Sequence, residues 1–422
     1  MIDIKLIREN PEKFAKAARD KKIAVDIDRL LAVDTELLAA KHRLQDIATE
    51  KNRVGKLIPK MTGQEKQDAL GQLAKLKADE PQLEDRIKEL QPEVDALLSQ
   101  AAQPADDDVP LGEDDTQNVE IRKEGKVRQF DFEPKDHVKL GLELGIIDIE
   151  RGVKLAGTRS YFLKGDGARL HWAILQFAMD VMVSRGYVPM SVPILMKDEA
   201  MKGTGYYPGS EEQTYRMERD MLNMAGTAEV PLTAYYMGEI LKEEQLPMKF
   251  VGLSSCFRRE AGAAGKDTYG LYRIHQFDKV EQVVICKNSV EESNKFHEEI
   301  LANAETVMRA LELPYRVVVV CTGDLGRGQA KKYDIEAWMP SRGNYCETHS
   351  ASKFYEFQAR RMNLRYKETA TKKNLFCHTL NNTVIASPRI LIPILELYQN
   401  KDGSVTVPTV LQPYMGAQEK IT

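Results

Sequence analysis

Two long stretches in which apolar residues recur in steps of three and four restrict most strongly how this chain can fold. The first is interrupted by Lys51 and contains Leu30, Val33, Leu37, Ala40, Leu44, Ile47, Val54 and Ile58. The second has one polar position, Glu80, and contains Ala69, Leu73, Leu76, Leu83, Ile87, Leu90, Val94, Leu97 and Ala101. Such spacing forms a narrow apolar stripe along a helix, which is typical of a coiled coil. Because the segment 59–63 reads as a turn, we predict an antiparallel helical hairpin.

Two prolines, Pro81 and Pro92, conflict with a straight second helix. A proline inside a helix removes a backbone hydrogen bond and costs about 3 kcal/mol. We therefore expect the second helix to be bent or broken at these positions.

The outer part of the predicted hairpin is rich in cations. Three acidic residues, Asp46, Glu50 and Glu65, stand there against Lys41, Arg43, Lys51, Arg53, Lys56, Lys60 and Lys66. A coiled coil with solvated surface charges explains this pattern. That explanation is the commoner one, and a basic arm that contacts an RNA backbone away from an active site is the alternative. The sequence alone leaves both interpretations open.

The remainder of the chain predicts a different architecture. Prolines and an acidic run in the segment 103–116 are typical of a linker. Beyond it, strand-like stretches such as 316–321 and 405–407 alternate irregularly with helical ones such as 170–184 and 291–311. This order favours an antiparallel sheet flanked by helices. We predict an α+β protein with a helical domain at 1–102, a linker at 103–116 and a second domain at 117–422.

Composition narrows the environment and the partners. The 422 residues carry a net charge of only −4, so any nucleic acid must bind locally. The five cysteines are widely spaced, without a Cys-x-x-Cys pair, which favours a reducing compartment. Neither an apolar signal segment at the amino terminus nor a long apolar run is present in the sequence. We expect a cytoplasmic protein that does not span a membrane.

Two short segments, 257–262 and 275–281, read as strands joined by a glycine-rich loop. Because side chains alternate along a strand, Arg258 and Glu260 would share one face. Phe277, Lys279 and Glu281 would share a face of the returning strand. A guanidinium, carboxylates and a ring on one patch can hold a nucleotide. A surface hairpin with ordinary ion pairs is the alternative.

Three motifs in order, behind a helical arm, make the whole chain resemble seryl-tRNA synthetase, a class II aminoacyl-tRNA synthetase. The helix from Leu170 and the segments 185–187 and 192–193 resemble motif 1, which builds the family's dimer interface. The two strand segments described above resemble motif 2. The segment 386–396 stands where motif 3 is expected. The resemblance implies a class II core built on an antiparallel sheet, and a homodimer.

The resemblance also implies roles for individual residues, beginning with two catalytic arginines, Arg258 at the α-phosphate and Arg389 at the γ-phosphate. Glu347 and Ser350 correspond to magnesium ligands. The residues implied for ATP are Arg258, Arg259, Glu260, Arg273, Phe277, Glu347, Thr348, His349, Ser350 and Arg389. Those implied for serine are Thr227, Ala228, Glu229, Arg258, Glu281 and Thr383. Taken alone, 226–231 reads as a helix start capped by Thr227.

This chain departs from the commonest family pattern at several of these positions. Thr383 replaces a serine and keeps a hydroxyl, although its methyl group narrows the site. Pro388 replaces a glycine next to Arg389. His349 stands where serine is usual, and Lys353 where asparagine is usual.

The implied function is the ATP-dependent attachment of L-serine to tRNA(Ser) through a seryl-adenylate, with Mg²⁺ as cofactor. The implied tRNA-binding residues are Lys41, Arg43, Lys51, Arg53, Lys56 and Lys60. Whether tRNA(Sec) is also a substrate stays open. A relative that charges a carrier protein would lack the helical arm, and an inactive relative that only binds RNA would be expected to lose Arg258, Glu260 or Arg389. A purely structural coiled-coil protein would not account for residues 117–422.

Overall fold

The computed structural model describes residues 1–263, 265, 267 and 269–422. These residues form two compact units, one made of Ile2–Ala102 and the other of Gln103–Thr422 together with Met1.

The first unit consists of helices, and its two long ones form the predicted hairpin. Apolar residues of both stripes are buried, among them Leu30 and Val33 on one helix and Leu90 and Val94 on the other. The helices are α1 (Ile4–Glu9), α2 (Pro11–Asp20), α3 (Ile27–Leu57) and α4 (Gly63–Gln100). The prediction of an antiparallel helical hairpin is confirmed.

The two polar positions in the apolar stripes face each other across the hairpin. Lys51 Nζ lies 2.6 Å from Glu80 Oε2, and both side chains are about three-quarters buried. Each charge therefore has its partner on the opposing helix. A polar pair at a coiled-coil seam favours one register of the two helices.

Helix α4 continues through both Pro81 and Pro92. The predicted break is therefore wrong, whereas a bend at these positions stays a prediction. Each proline removes one backbone hydrogen bond. The apolar stripe continues on both sides of Pro92, and its burial against α3 offsets that loss.

The second unit combines a large sheet with helices, as predicted. Its helices are α5 (His137–Glu143), α6 (Ile149–Ala156), α7 (Asp166–Ser184), α8 (Asp198–Thr204), α9 (Glu229–Thr233), α10 (Val290–Ala310), α11 (Phe357–Met362) and α12 (Leu391–Tyr398). Its strands are β1 (Val119–Glu124), β2 (Ile147–Asp148), β3 (Phe162–Leu163), β4 (Val188–Ser191), β5 (Leu195–Lys197), β6 (Arg216–Met217), β7 (Leu222–Met224), β8 (Ile240–Lys242), β9 (Met248–Phe257), β10 (Gln276–Cys286), β11 (Tyr315–Val319), β12 (Lys331–Met339), β13 (Asn344–Tyr355), β14 (Arg365–Lys367), β15 (Asn374–Phe376), β16 (His378–Ser387), β17 (Val405–Thr406) and β18 (Lys420–Ile421).

Eight strands form the main sheet, in the order β1-β11-β12-β13-β16-β10-β9-β4. The β4–β9 pair is parallel, and the other neighbouring pairs are antiparallel. Shorter strands form small sheets around it. The predicted α+β class with an antiparallel sheet flanked by helices is confirmed.

Strand β10 separates the core of this unit from the opposite face of the sheet. Val280 and Val284 are fully buried in the same apolar cluster as Ile174 of α7 and Ile300 of α10. Because side chains alternate along a strand, the odd-numbered residues from Phe277 onward point the other way. The helices therefore cover one face of β10, and the other face is available to a site.

The acidic segment that follows the first unit lies along the second unit. Asp106 N donates to the carbonyl of Ala330 at 2.9 Å. Asp106 and Asp108 form ion pairs of 2.6 and 2.5 Å with Lys353 and Lys331. Lys353, one of the departures from the family pattern, is thus a buried partner of this segment.

Among the described residues, no helix is long and apolar enough to cross a membrane.

Candidate active site

The ends of β9 and β10 carry the segment that the sequence assigned to nucleotide binding. Strand β9 ends at Phe257, so Arg258 and Glu260 lie in the loop beyond it. Glu260 has a φ of +53°, which is not a strand conformation. The prediction that Arg258 and Glu260 share a face of a strand is therefore wrong. Residues 264, 266 and 268 of the same loop lie outside the described residues.

One cavity in the second unit nevertheless brings most of the predicted site residues together. Its empty volume is about 880 Å³, part of it open to solvent. It lies on the face of β10 opposite α7 and α10. The predicted residues that line it are Glu229, Arg258, Glu260, Arg273, Phe277, Glu281, Glu347, Thr348, Ser350, Thr383 and Arg389.

At the outer end of the cavity, two arginines are oriented by a backbone carbonyl, an aromatic ring and a carboxylate. Arg258 donates from Nε to the carbonyl of Gly226 at 3.3 Å. Its guanidinium carbon lies 5.2 Å from the centre of the Phe277 ring. Arg273 donates from Nη1 to Glu260 Oε2 at 2.8 Å. Both guanidiniums keep donors that a phosphate group could use.

Arg389 reaches the same cavity from the opposite side, between β16 and α12. It donates from Nε to the carbonyl of Tyr272 at 3.1 Å and from Nη1 to that of Glu347 at 3.1 Å. Its guanidinium carbon also lies 4.4 Å from the centre of the Tyr272 ring. These contacts fix the direction of the guanidinium without neutralising its charge.

Glu347 is a carboxylate on the wall of this cationic region. Burial acts to raise the pKa of Glu347, but the charges of Arg389, Lys332, Arg258 and Arg273 together hold it below its ordinary value. The carboxylate is therefore ionised at neutral pH. Ser350 lines the same cavity, so a hydroxyl and a carboxylate are both available to a hard cation there.

The inner end of the cavity is built from buried charged and hydroxyl groups. Lys279 Nζ lies 2.6 Å from Glu281 Oε2, and both side chains are buried. Thr383 donates from Oγ1 to the same carboxylate oxygen at 3.3 Å. A small ligand with a hydroxyl group could exchange hydrogen bonds with this group of side chains.

Glu229 adds a second buried carboxylate to the inner end. Its carboxylate accepts hydrogen bonds from Gln358 Nε2 at 2.9 Å and from the Tyr206 hydroxyl at 3.2 Å. Burial raises the pKa of Glu229 to about 7, and the charge of Glu281 contributes in the same direction. A ligand cation at this position would favour the ionised form.

Four predicted residues lie within the described part of the chain but outside the cavity lining. Both ring nitrogens of His349 are engaged, Nε2 with the Val384 carbonyl and Nδ1 with the Thr348 hydroxyl. Its side chain is 1% exposed and does not line the cavity, and the implied contact of His349 with ATP stays a prediction. The remaining three outside the lining are Arg259, Thr227 and Ala228.

Helix α9 begins in this segment as expected, although its N-cap is Ala228 and Thr227 lies one residue before that cap. Its Oγ1 accepts from the backbone N–H of Glu229 at 3.2 Å, at the start of α9. Thr227 and Ala228 are almost fully buried. They therefore fix the position of Glu229, which is the member of the tripeptide that reaches the cavity.

Several lining residues were not predicted as site residues. The sequence pattern could have identified Lys279, because it alternates with Phe277 and Glu281 along β10. No sequence pattern points to Tyr206, Gln329 and Asn381, since they come from segments far apart in the sequence. Tyr272 immediately precedes Arg273, but its contact with Arg389 depends on tertiary structure.

The predicted tRNA-binding cations lie on the hairpin of the first unit. Lys51 is taken up at the seam by Glu80, and this makes it a poor candidate for contact with RNA. Arg53 is paired with Glu50, Lys41 donates to Gln91, and Arg43 lies 4.0 Å from Asp79. Lys56 and Lys60 are exposed. The acids of α4 therefore offset part of the basic charge counted in the sequence.

Comparisons with known proteins agree over the entire chain. Residues 1–101 match the seryl-tRNA synthetase N-terminal domain. Residues 214–398 match the tRNA synthetase class II core domain (G, H, P, S and T). A serine–tRNA ligase of Deinococcus radiodurans is 46% identical over 419 residues, which cover 99% of this chain and 98% of that protein.

Two solved structures are also similar over almost their full length. Seryl-tRNA synthetase from Pyrococcus horikoshii, complexed with ATP, is 37% identical with a TM-score of 0.94 and covers 100% of this chain and 99% of its own. The cytoplasmic serine–tRNA ligase of Naegleria fowleri, in complex with AMP, is 31% identical with a TM-score of 0.89 and the same coverage.

The raised pKa of Glu229 predicts a pH-dependent effect of Glu229→Gln on stability. An acid whose folded-state pKa lies above its ordinary value of 4.5 loses its proton less readily when folded, so ionisation destabilises the fold as pH rises from about 4.5 to about 7. At about 1.4 kcal/mol per pH unit between the two pKa values, this penalty is at most about 3 kcal/mol. Glutamine removes it, so the stability gain from Glu229→Gln should be near zero at pH 4.5 and largest above pH 7.

Thermal unfolding of both proteins at pH 4.5, 6 and 8 measures this gain. Glu218→Gln, at a side chain that is 82% exposed, is the matched control and should show no such trend. A gain that is constant with pH would contradict the prediction.

Proposed function

Because this chain belongs to the seryl-tRNA synthetase family, and is therefore a class II serine–tRNA ligase, we propose that it charges tRNA(Ser) through a seryl-adenylate formed in the cavity around Arg258. The observation that carries the proposal is that Arg258, Glu281 and Arg389 line one cavity. Had these residues lain on separate surfaces, the assigned roles would not be compatible. ATP, L-serine and tRNA(Ser) are the proposed substrates.

The proposed reaction consists of two transfers. A carboxylate oxygen of serine attacks the α-phosphorus of ATP, the bond to the β-phosphate oxygen breaks, and pyrophosphate leaves. A hydroxyl of the terminal tRNA ribose then attacks the seryl carbonyl carbon, loses its proton, and AMP leaves. The protein contributes position and charge rather than a nucleophile.

The outer end of the cavity is the proposed ATP site. Arg258 would hold the α-phosphate, and Arg273 and Arg389 the terminal phosphates. Glu260 and Phe277 would contact the adenine, by a hydrogen bond and by stacking. The three guanidiniums are already oriented by carbonyls, a carboxylate and rings, which lowers the cost of ordering them when ATP binds.

Glu347 and Ser350 are the proposed protein ligands of Mg²⁺. The described residues contain no group of three or more His, Cys, Asp or Glu that could hold a metal ion by themselves. One carboxylate and one hydroxyl leave further positions for phosphate oxygens and water, which is how proteins usually hold Mg²⁺ with a nucleotide. The ion would supply charge stabilisation to the phosphates during the transfer.

The inner end of the cavity is the proposed serine site. Glu229 would bind the ammonium group, whose charge favours ionisation of a carboxyl with a pKa of about 7. Glu281 and Thr383 would bind the substrate hydroxyl. Thr227 and Ala228 would contribute by holding Glu229 in place.

The hairpin and the surface beside α7 are proposed to bind macromolecules. Exposed cations of the arm, Lys56 and Lys60 in particular, would contact the tRNA backbone. Backbone contacts carry no sequence information, so they are compatible with the notion of tRNA(Sec) as a second acceptor without distinguishing it from other tRNAs. Trp172, Val183 and Val188 are 64%, 46% and 54% exposed in the motif 1 region, which supports the proposed homodimer.

Because charged tRNA is used in translation, we propose that the enzyme works in the cytoplasm.

Arg258→Ala tests the proposed adenylation site. Loss of a donor that stabilises transition-state charge costs about 10²–10³-fold in rate, so serine-dependent exchange between ATP and pyrophosphate should fall at least that far. Circular dichroism should show an unchanged fold. Arg219→Ala, at an exposed arginine between β6 and β7, is the control and should keep full exchange. Near-normal exchange by Arg258→Ala would refute the role of Arg258.

Substitution of Thr383 tests the proposed serine site. Alanine as substrate lacks the hydroxyl that would form hydrogen bonds with Glu281 and Thr383, so discrimination against alanine should reach about 10⁴–10⁵-fold. Threonine differs from serine by one methyl group, for which discrimination of only about 10²-fold is expected. Thr383→Ser makes room for that methyl group and should weaken discrimination against threonine. Thr383→Val, which keeps the shape, should instead reduce the use of serine.

Exchange rates with serine, threonine and alanine measure both effects. Equal use of alanine and serine by the unchanged protein would contradict the proposed hydroxyl recognition.

The combined substitution Lys56→Ala and Lys60→Ala tests the proposed role of the arm. The KM for tRNA should rise, and the slope of log KM against log salt concentration should fall by about 1 for each phosphate that the lysines no longer neutralise. Exchange between ATP and pyrophosphate does not involve tRNA and should be unchanged. Lys13→Ala with Lys88→Ala removes the same charge elsewhere on the first unit and is the matched control. An unchanged KM for tRNA would remove these two lysines from the proposed interface.

A further inference from the structure

A buried histidine and a buried glutamate lie behind the wall of the ATP cavity. His137, the first residue of α5, has its Nδ1 2.8 Å from Glu396 Oε1. The backbone N–H of His137 donates to the same oxygen at 3.1 Å. His137 is 4% exposed and Glu396 is fully buried. Neither side chain lines the cavity.

The other ring nitrogen of His137 contacts the loop between β9 and β10. Leu271 donates its backbone N–H to His137 Nε2 at 3.2 Å. Nε2 must therefore carry a lone pair, and Nδ1 carries the proton that is donated to Glu396. The imidazole thus links a buried carboxylate to the backbone of the loop through one defined tautomer.

The loop fits tightly against this ring. Gly270 has a φ of +73°, and a Cβ placed on it would lie 2.2 Å from His137 Nε2. The hydroxyl of Tyr269 donates to Asp136, the residue before His137, at 3.0 Å. Three consecutive loop residues are therefore held by the first turn of α5. The next two, Tyr272 and Arg273, line the cavity.

Glu396 links His137 to two other segments at the outer end of the cavity. Its Oε2 accepts from the backbone N–H of Ser341 at 2.9 Å. Ser341 precedes Arg342, whose guanidinium lies 3.9 Å from the centre of the Tyr272 ring. Glu396 itself belongs to α12, which begins two residues after Arg389.

We propose that His137 is a positioning residue for ATP, which it serves by fixing the loop backbone at Leu271 and thereby the places of Tyr272 and Arg273. The inference rests on the proposed function, because it assigns this end of the cavity to the phosphates of ATP. It predicts a specific asymmetry. Removal of the hydrogen bond to the loop should weaken the use of ATP and leave the use of serine unchanged, since Glu229, Glu281 and Thr383 lie at the other end.

Two substitutions of His137 separate its hydrogen bond to the loop from its hydrogen bond to Glu396. His137→Asn places an amide N–H near the position of Nδ1, so it keeps a donor for Glu396 and loses the acceptor for Leu271. His137→Gln reaches the position of Nε2, so it keeps an acceptor for Leu271 and loses the donor for Glu396. Because a buried N–H left without its acceptor weakens the arrangement it supports, we expect His137→Asn to raise the KM for ATP about tenfold or more in pyrophosphate exchange. His137→Gln should keep a KM for ATP near that of the unchanged protein, with a lower melting temperature.

Gly270→Ala provides a second route to the same result, for use if His137→Asn does not fold. Its Cβ would push the loop away from the ring, so it should also raise the KM for ATP and leave the KM for serine unchanged. His42→Asn, at an exposed histidine of α3, is the matched control and should change neither constant.

The outcomes distinguish this inference from the proposed function. If the unchanged protein shows no serine-dependent exchange, the proposed function and the inference both fail. If it shows exchange and His137→Asn has a KM for ATP within twofold of it, only the inference fails. Equal rises in the KM for ATP and for serine would also overturn it, because they would indicate a general loss of structure.

Discussion

The pairing of β10 with β9 and β16 is the constraint on which both the core and the site depend. Glu281 of β10 is paired with Gly252 on one side and with Thr383 on the other. This register places the Thr383 hydroxyl within hydrogen-bond distance of the Glu281 carboxylate. A slip by one residue would turn Lys279 and Glu281 toward α7 and α10 and expose Val280. The apolar core therefore selects the register that also forms the inner end of the cavity.

The outer end is ordered in another way, because its three arginines lie in loops rather than on strands. Its arginines are oriented largely by backbone carbonyls: Gly226 accepts from Arg258, and Tyr272 and Glu347 accept from Arg389. A carbonyl fixes the direction of a guanidinium but leaves its charge in place, whereas a carboxylate would cancel it. Arg273, which is paired with Glu260, is the exception. The region can therefore keep a positive potential for an anionic ligand and still be ordered beforehand.

How much the sequence could predict follows from the range of the interactions involved. The hairpin was predictable because its signal, the three-four spacing, is local and repeated, and the face of β10 was predictable from alternation along a single strand. The pairing of Lys51 with Glu80 and the burial of His349 were not, because each depends on a partner from another segment. Of the bend or break expected at Pro81 and Pro92, the break is excluded because α4 is continuous, and around Pro92 the burial of Leu90 and Val94 opposes the local preference. The strand predicted to carry Arg258 and Glu260 ends at Phe257, yet both side chains line the cavity. They do so from a loop in which Glu260 has a positive φ, so alternation along a strand does not determine where they point.

The two ends of the cavity carry opposite charge, and this difference supplies an orientation. The inner end has two carboxylates, Glu229 and Glu281, and one cation, Lys279, which pairs with Glu281. The net charge of the inner end is therefore negative when Glu229 is ionised. Burial and the neighbouring charge of Glu281 make this ionisation unfavourable, and they raise the pKa of Glu229. An amino acid would therefore bind with its ammonium group inward and its carboxylate toward Arg258, which is the direction that the proposed attack on the α-phosphorus requires. The Glu229 carboxylate, whose ionisation opposes folding, would thus determine which end of the proposed substrate faces ATP.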